Sequence, residues 1–413
     1  MSGYGPGALL FGAEEVKEVQ DVLNSGYLYR YGDAEDPKFK KKALQFEDEL
    51  RTFFGVPHTV AVNSGSSAIM CALAALGIGP GDEVIVPGYT FIASISSIVN
   101  SRAVPVLAEV DDSLTIDPKD IAKRITPRTK AIMPVHMIGN PCDMDAIMDI
   151  AKKHNLYVIE DSCQAMGGSY KGRLLGTIGD IGCFSLNRFK PINTGDGGAV
   201  ILKDASQYAR AYAFHDQGHL PRREGAEEGN RTIFGFNFRM PELSAAVALA
   251  QLRKLNKILE TLRASKKIMK DEIAKVPGAM FRTINDPGEC ATLLTLKFET
   301  QEKAEAFASA MGTRTVHHSG WHVYDRMEPL LNRSSPTEFK CPFTCPLNAT
   351  EPHYHQGMLP YTSALLRRCV TIGIGVSDKG NGAGIGVSVL SSKEEVLAMA
   401  QKVKEVLNKV LNN

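Results

Sequence analysis

The chain has 413 residues, of which 44% are hydrophobic, so it is long enough for one large domain and a smaller second one. Its formal net charge is +1 and it has no basic stripe, which argues against nucleic acid as a main partner. No segment reaches the roughly 18 consecutive apolar residues of a membrane span, and the N-terminus lacks a signal-peptide pattern, so we expect a cytoplasmic protein without a membrane partner.

From residue 59 onward, short β-branched runs alternate with helical stretches, as in a parallel sheet covered by helices on both faces. The predicted elements follow one another in chain order: strand 59–62, helix 68–76, strand 83–86, helix 92–100, strands 104–107 and 130–135, helix 143–154 and strand 156–159. The alternation predicts an α/β fold with a mostly parallel sheet.

After Pro241 the pattern changes to one long helix with an apolar face. The predicted elements of this part are helix 242–274, strand 291–298, helix 301–311, strand 370–375 and helix 393–411. The sequence therefore predicts a large α/β domain over residues 1–250 that holds the main site, and a small C-terminal α+β domain over residues 251–413.

Lys190 is the candidate catalytic residue. It lies between Phe189 and Pro191 and precedes the glycine-rich turn TGDGG (194–198), where a backbone can approach a flat ring closely. Lysine forms a reversible imine with an aldehyde, and a suitable environment lowers its pKa so that the free amine is available at neutral pH. By itself, Lys190 would also suit a surface loop followed by a hairpin turn.

Asp161 lies at the carboxyl end of the predicted strand 156–159, the edge at which ligands bind in open α/β sheets. Its neighbour Glu160 is expected to face the other side of the sheet, because side chains alternate along a strand. Gln164 follows three residues later and is placed to bond a ring oxygen. Pyridoxal phosphate (PLP) needs an amine for a Schiff base and a carboxylate beside its pyridine nitrogen, so Lys190 and Asp161 together predict this cofactor.

Donors for the phosphate of such a cofactor are also present. The turn 64–67 follows a strand and opens a helix, so the N–H groups at Gly65 and Ser66 and the helix dipole offer an anion site. Ser185, five residues before Lys190, adds a hydroxyl group at the end of the strand-like run 181–185. Simple capping of the helix by serine explains the turn 64–67 equally well.

The eight cysteines are scattered, which is typical of reduced cytosolic thiols. Cys341 and Cys345, followed by His353 and His355, have a spacing that could be forced into a zinc site. Prolines interrupt this run, so we interpret it as a proline-rich surface loop and expect no metal.

Ordered matches over nearly the whole chain make it resemble the DegT/StrS family of sugar aminotransferases, which have the fold-type-I architecture of PLP-dependent transferases. The matching stretches are NSGSSA (63–68), GIGPGDEVIVP (77–87), YTFIA (89–93), EDSCQA (160–165), GTIGDIGCFS (176–185), TGDGG (194–198) and GFNFRM (235–240). The resemblance implies an aminotransferase that uses PLP and moves an amino group from glutamate or glutamine to a keto or aldehyde sugar, either nucleotide-linked or of the octulosonate type.

The resemblance also assigns roles to residues. It implies that Lys190 is the Schiff-base lysine, that Asp161 pairs with the pyridine nitrogen, and that Phe91 stacks on the pyridine ring. The remaining cofactor contacts that it implies are a ring neighbour, Gln164, and the phosphate donors Gly65, Ser66 and Ser185. Asn237 reaches the phosphate of the neighbouring subunit's cofactor in such proteins, which implies a homodimer with shared active sites.

Departures from the family pattern concern specificity. Asp196 stands where a glutamate is more usual, and Asn187 and Arg188 replace the commoner residues before the lysine. The segments 26–32 and 216–219 are similar to a branch that includes the aminotransferase making 8-amino-3,8-dideoxy-octulosonate. We expect the loops 30–38 and 220–232 to read the sugar hydroxyls.

Two alternatives remain open. One is a different PLP reaction, such as sugar dehydration or elimination, although the family members that act as dehydratases have histidine in place of the lysine. The other is a PLP-binding regulatory protein without turnover.

Overall fold

The structure is a computed structural model that describes residues 3–221, 233–348, 351–379 and 382–412. Its strands, in chain order, are β1 (His58–Val62), β2 (Glu83–Pro87), β3 (Val104–Ala108), β4 (Thr129–Ile132), β5 (Tyr157–Asp161), β6 (Ser169–Tyr170), β7 (Arg173–Leu174), β8 (Ile181–Ser185), β9 (Gly198–Leu202), β10 (Met280–Phe281), β11 (Leu293–Lys297) and β12 (Cys369–Gly373).

Twelve α-helices lie between and beyond these strands in the described part of the chain. They are α1 (Ala13–Ser25), α2 (Lys42–Phe54), α3 (Gly65–Ala75), α4 (Ile92–Asn100), α5 (Pro118–Arg124), α6 (Met144–His154), α7 (Ala205–His215), α8 (Glu242–Ile273), α9 (Gln301–Ala310), α10 (Glu328–Leu331), α11 (Pro360–Arg367) and α12 (Lys393–Leu411). Short 3-10 turns lie at Pro6–Leu9, Met137–Gly139, Val316–His318 and Tyr324–Arg326. No helix in the described part of the chain is long and apolar enough to cross a membrane.

The central sheet has seven strands in the order β1-β9-β8-β5-β4-β2-β3. The pairs β2–β3, β2–β4, β4–β5 and β5–β8 are parallel, whereas β9 runs antiparallel to both β8 and β1. The predicted α/β fold with a mostly parallel sheet is therefore confirmed. β9 is not predicted from the sequence, because it follows directly on the glycine-rich turn and forms a hairpin with β8.

Two boundaries differ from the predictions for physical reasons. α3 begins at Gly65, earlier than expected, because the Ser64 hydroxyl caps the helix by accepting the N–H of Ser67 at 3.0 Å. β4 ends at Ile132 because Pro134 has no N–H with which to continue the ladder. The helices α1 and α2 are not predicted from the sequence.

Side chains of β5 alternate between two apolar cores, which lie on opposite faces of the sheet. Val158 belongs to one core and Ile159 to the other. Glu160 faces the same side as Val158, as predicted, and accepts backbone N–H groups of Gly176, Ile178 and Gly179 at 2.6–2.8 Å. Glu160 is therefore a structural residue that fixes the loop before β8.

A second, antiparallel sheet has the order β10-β11-β12, and α9 and α12 belong to the same part of the chain. The predicted domain boundary near residue 250 falls inside α8. This helix is joined to α1 through the Arg253–Glu18 ion pair and to α12 through the Lys404–Glu272 ion pair. The division into two domains remains a prediction.

Candidate active site

A cavity of about 550 Å³ lies at the carboxyl ends of the parallel strands. Most of the residues proposed from the sequence line it together: Gly65, Ser66, Phe91, Asp161, Gln164, Ser185 and Lys190. These residues come from four stretches of the chain, around residues 65–66, 91, 161–164 and 185–190, which the fold brings to one cavity.

Asp161 is the last residue of β5, and its carboxylate is almost fully buried. Its Oδ2 accepts the Ser94 hydroxyl at 2.6 Å, and its Oδ1 accepts the N–H of Cys163 at 3.1 Å. The Oγ of Ser94 lies 2.7 Å from Thr90 Oγ1. Two donors therefore orient the carboxylate in the cavity wall. Ser94 is not predicted from the sequence, although it lies one residue beyond the motif YTFIA (89–93).

Lys190 lies in the turn between β8 and β9, is half-buried and lines the cavity. Desolvation lowers the pKa of Lys190, and the nearby Cys163, Asp161 and Asp378 oppose that shift. A lowered pKa leaves more of the free amine at neutral pH than an ordinary lysine has, and the free amine is the nucleophilic form.

An N-terminal arm, residues 3–6, crosses this turn on its outer side. The N–H of Gly5 donates to the carbonyl of Arg188 at 2.8 Å, while Tyr4 pairs through its backbone with Ser377 in both directions, at 2.9 and 2.8 Å. A Cβ on Gly5 would lie 2.3 Å from the carbonyl carbon of Phe189, so only glycine fits there. The arm therefore ties the turn that carries the lysine to the segment around residue 377.

The N-terminus of α3 offers two donors. The Ser64 hydroxyl caps the N–H of Ser67, whereas the N–H groups of Gly65 and Ser66 have no acceptor within the part of the chain that is described. A Cβ on Gly65 would lie 2.7 Å from Ser185 Cβ, so the helix can approach Ser185 only with glycine at this position. Capping and anion binding thus use different residues of the same turn, and the two interpretations are compatible.

Gln164 is held by an unusual backbone turn. Its Oε1 accepts the N–H of Ile138 at 3.0 Å, which leaves its NH₂ group as the donor toward the cavity. Ile138 has φ 58° and ψ 33°, a left-handed conformation that is strained for a β-branched residue. Its carbonyl accepts the guanidinium of Arg282 at 3.1 Å, which helps to hold the turn. Residue types alone do not predict this turn.

A wall formed by Trp321 and His322, which is not predicted from the sequence, lies next to Phe91 in the cavity. The ring of Phe91 lies 6.4 Å from that of Trp321 in a nearly parallel arrangement, and 5.3 Å from the imidazole of His322. The Nδ1 of His322 lies 2.7 Å from the hydroxyl of Ser319. Burial, and to a lesser degree the charge of Lys190, lowers the pKa of His322 to about 3, so its imidazole is neutral at physiological pH.

Asn237 is exposed and is not among the described residues that line the cavity of its own chain. It pairs through its backbone with Asp216, whose carboxylate binds Arg239 and accepts the hydroxyl of Tyr31 at 2.6 Å. The two segments that suggested the octulosonate branch, 26–32 and 216–219, are therefore in contact. Most of the predicted loop 220–232 lies outside the described residues.

The donor set fits a phosphate-bearing pyridine aldehyde. The cavity combines an amine, a buried carboxylate, an amide donor and, at one helix N-terminus, two N–H groups next to a serine hydroxyl. No cluster of three or more histidine, cysteine or acidic side chains with metal-binding geometry is found among the described residues.

The sequence profile of the DegT/DnrJ/EryC1/StrS aminotransferase family matches residues 10–376. GDP-perosamine synthase of Caulobacter vibrioides is 43% identical over 217 residues, which cover 52% of this chain and 57% of that enzyme. The dTDP-3-amino-3,4,6-trideoxy-alpha-D-glucose transaminase of Streptomyces venezuelae is 35% identical over 300 residues, which cover 72% of this chain and 77% of that enzyme. A solved aminotransferase from Psychrobacter cryohalolentis has 28% identity and a TM-score of 0.79, over 97% of this chain and 98% of that one.

The fold and the site define a PLP-dependent aminotransferase, as predicted from the sequence. The chain belongs to the DegT/DnrJ/EryC1/StrS aminotransferase family. The similarity to the octulosonate branch and the roles of the individual site residues stay predictions.

Proposed function

We propose that this enzyme transfers an amino group from glutamate or glutamine to the carbonyl of a keto or aldehyde sugar. The observation that carries the proposal is the cavity in which Lys190 faces Asp161 beside the N-terminus of α3. The acceptor follows from the relatives, because those with named products make amino sugars linked to GDP or dTDP. We therefore favour a nucleotide-linked keto sugar, with an octulosonate-type acceptor as the second candidate.

The residues divide the chemical work among them. When bound, PLP supplies the electron sink that the reaction needs. Lys190 would hold the cofactor through its amine and, as a free amine, would carry the proton that leaves the donor's α-carbon. Asp161, oriented by Ser94, keeps a proton on the pyridine nitrogen, and the NH₂ group of Gln164 donates to the ring oxygen.

The phosphate end of the cofactor is assigned to a second group of residues. Gly65 and Ser66 donate backbone N–H groups, and Ser185 donates its hydroxyl. Phe91, the N-cap residue of α4, would pack its ring on the pyridine. These donors interact with the phosphate through N–H and O–H dipoles and the helix dipole, and none of them is a cationic side chain.

We further propose a homodimer in which Asn237 reaches the partner's phosphate. Asn237 lies on a surface with exposed apolar side chains, and Phe234, at 99% exposure, is the extreme case. Leu28, Tyr29 and Phe236 are also exposed there, and a second copy that covered them would gain the free energy of burying apolar surface. We also propose a cytoplasmic location, which suits the eight free cysteines.

The experiment that tests the function separates it from elimination and from a regulatory role. The purified holoenzyme is mixed with glutamate or glutamine, and the spectrum of the cofactor is followed. We expect conversion to the pyridoxamine form, followed by amination of GDP-linked or dTDP-linked keto sugars, detected by mass spectrometry. Loss of water from the sugar without amination would establish the dehydratase alternative, and no spectral change with either amino donor would favour the regulatory one.

A further inference from the structure

None of the roles in cofactor binding and proton transfer falls on the wall formed by Trp321 and His322. Trp321 is the single tryptophan of the chain and is 59% exposed, yet it lines the cavity. Its backbone is fixed, because its carbonyl accepts the N–H of Ile92 at 2.8 Å and the carbonyl of His322 accepts the N–H of Thr90 at 2.9 Å. An indole with a large exposed surface gains free energy when a ligand covers it, and the fixed backbone keeps this one at the cavity.

His322 supplies a polar group next to this surface. The side chain is only 8% exposed, and its Nδ1 is engaged with the hydroxyl of Ser319. Its Nε2 is therefore the ring nitrogen that remains for a ligand in the cavity. A neutral imidazole can donate to or accept from a hydroxyl group without adding charge to the site.

The size of the cavity indicates which substrate meets this wall. A volume of about 550 Å³ suits a cofactor together with one sugar ring. A nucleotide attached to that sugar therefore has to extend out of the cavity through its mouth. Exposed Trp321 marks the mouth. The amino donors, glutamate and glutamine, have no ring that could stack on an indole.

We propose that Trp321 and His322 bind the acceptor: the indole packs on a ring of the acceptor, and His322 Nε2 bonds one of its hydroxyl groups. The inference rests on the proposed function, because it requires a sugar acceptor. The stacked ring is either the sugar or the nucleobase, since both present a face that packs on an aromatic side chain.

The first test measures two half-reactions separately: the conversion of the cofactor by the amino donor, and the amination of the acceptor. The proteins compared are Trp321→Ala, Trp321→Phe and wild type. We expect the conversion of the cofactor by glutamate to keep its rate within about twofold in all three proteins. The KM for the acceptor should rise at least about tenfold in Trp321→Ala, equivalent to about 1.4 kcal/mol, and less in Trp321→Phe, which keeps an aromatic face. The acceptor is the GDP-linked keto sugar that differs from GDP-perosamine by a carbonyl in place of the amine.

The matched control is Phe339→Ala. Phe339 is another exposed aromatic residue, and it is not among the described residues that line the cavity. We expect wild-type constants for both half-reactions. Equal losses in the two half-reactions of Trp321→Ala would show a structural role and overturn the inference.

The second test uses the fluorescence of the single tryptophan in the holoenzyme with its cofactor in the amine form. GDP and a free 6-deoxyhexose are titrated separately, and saturable quenching by either ligand identifies the stacked ring as base or sugar. Quenching by neither, together with an acceptor KM in Trp321→Ala within about twofold of wild type, would overturn the inference while leaving the aminotransferase intact. A wild-type enzyme that aminates no sugar in either nucleotide series would instead overturn the proposed function, and the inference with it.

Discussion

Two neighbouring carboxylates of β5 have opposite surroundings. Glu160 is fully buried and accepts three backbone N–H groups and the imidazole of His136, whereas Asp161 is bound by Ser94 and opens onto the cavity. Alternation along one strand thus separates a residue that stabilises the fold from one that serves the reaction.

We predict that Asp161→Asn and Glu160→Gln fail in different ways. Asp161→Asn should lower the rate of amination at least about a hundredfold, a typical cost of removing an electrostatic contact in an active site, and it should leave the thermal midpoint nearly unchanged. Glu160→Gln should lower the free energy of unfolding by about 1–3 kcal/mol, because an amide cannot accept every N–H that the carboxylate accepts. Calorimetry and steady-state kinetics on both variants measure the two effects, and similar kinetic losses without loss of stability in Glu160→Gln would contradict the assignment.

We predict that borohydride reduction of the holoenzyme attaches the cofactor to Lys190, because Lys190 is the lysine among the described residues that line the cavity. Peptide mapping identifies the labelled lysine. Lys190→Ala should still bind PLP through Asp161 and the phosphate donors, while transamination falls to background. Label on any other lysine would refute the assignment of the nucleophile.

We predict that the negative charge of Asp378 raises the pKa of Lys190. The pKa of Lys190 lies below the ordinary lysine value because of desolvation, and Asp378 raises it in opposition. Asp378→Asn removes that negative charge, so the pKa of Lys190 should fall further and the free amine should persist to lower pH. The rate at which the cofactor-free chain captures PLP, measured against pH, should reach half its maximum at a lower pH in the variant than in wild type. A shift to higher pH would exclude this electrostatic role.

At the level of single elements, Gly65 determines how closely the start of α3 approaches Ser185. The helix starts against Ser185, and the space between the two is too small for a side chain at Gly65. The same contact brings two free helical N–H groups and a serine hydroxyl within reach of one anion.

We predict that Gly65→Ala weakens cofactor binding. The added methyl group would lie 2.7 Å from Ser185 Cβ, so the helix or the serine has to move, and at least one hydrogen bond to the phosphate is lost. Since a hydrogen bond to a charged group is worth about 1.5–3 kcal/mol, the Kd for PLP should rise at least about tenfold. Gly79→Ala is the control, because a Cβ there would make only an ordinary contact, at 3.7 Å from a carbonyl oxygen. Equal Kd values in both variants would show that the approach distance does not matter.

Local motifs were sufficient to place several residues at the cavity, although their roles stay predictions. Lys190 beside its glycine-rich turn, Asp161 at a strand end and Gly65 at a helix start are examples, and the structure places all three in one cavity. Trp321 and His322 could not be predicted in this way, because they reach the site through long-range pairing of their backbone with the segment 89–92. The left-handed conformation of Ile138 could not be predicted either, because β-branched residues such as isoleucine rarely adopt it.

On the scale of the whole molecule, the predicted shared site can be tested by mixing subunits. Lys190→Ala and Asn237→Asp should each be inactive, the second because it places a carboxylate beside the phosphate. A heterodimer of the two would have one site with both lesions and one intact site, so mixing under exchange conditions should restore activity. Background activity after verified heterodimer formation would mean that each site is built from a single chain.

The arm at residues 3–6 has a consequence for the order in which the enzyme matures. Gly5 of the arm bonds Arg188 in the turn that carries the lysine, and Tyr4 bonds Ser377, so the arm can join the two segments only after residue 377 has been made. Contacts between such distant parts of a chain form late, because their loops are costly to close. We therefore expect firm capture of PLP only in the last stage of folding, after the arm has joined the turn at Arg188 to the segment at Ser377.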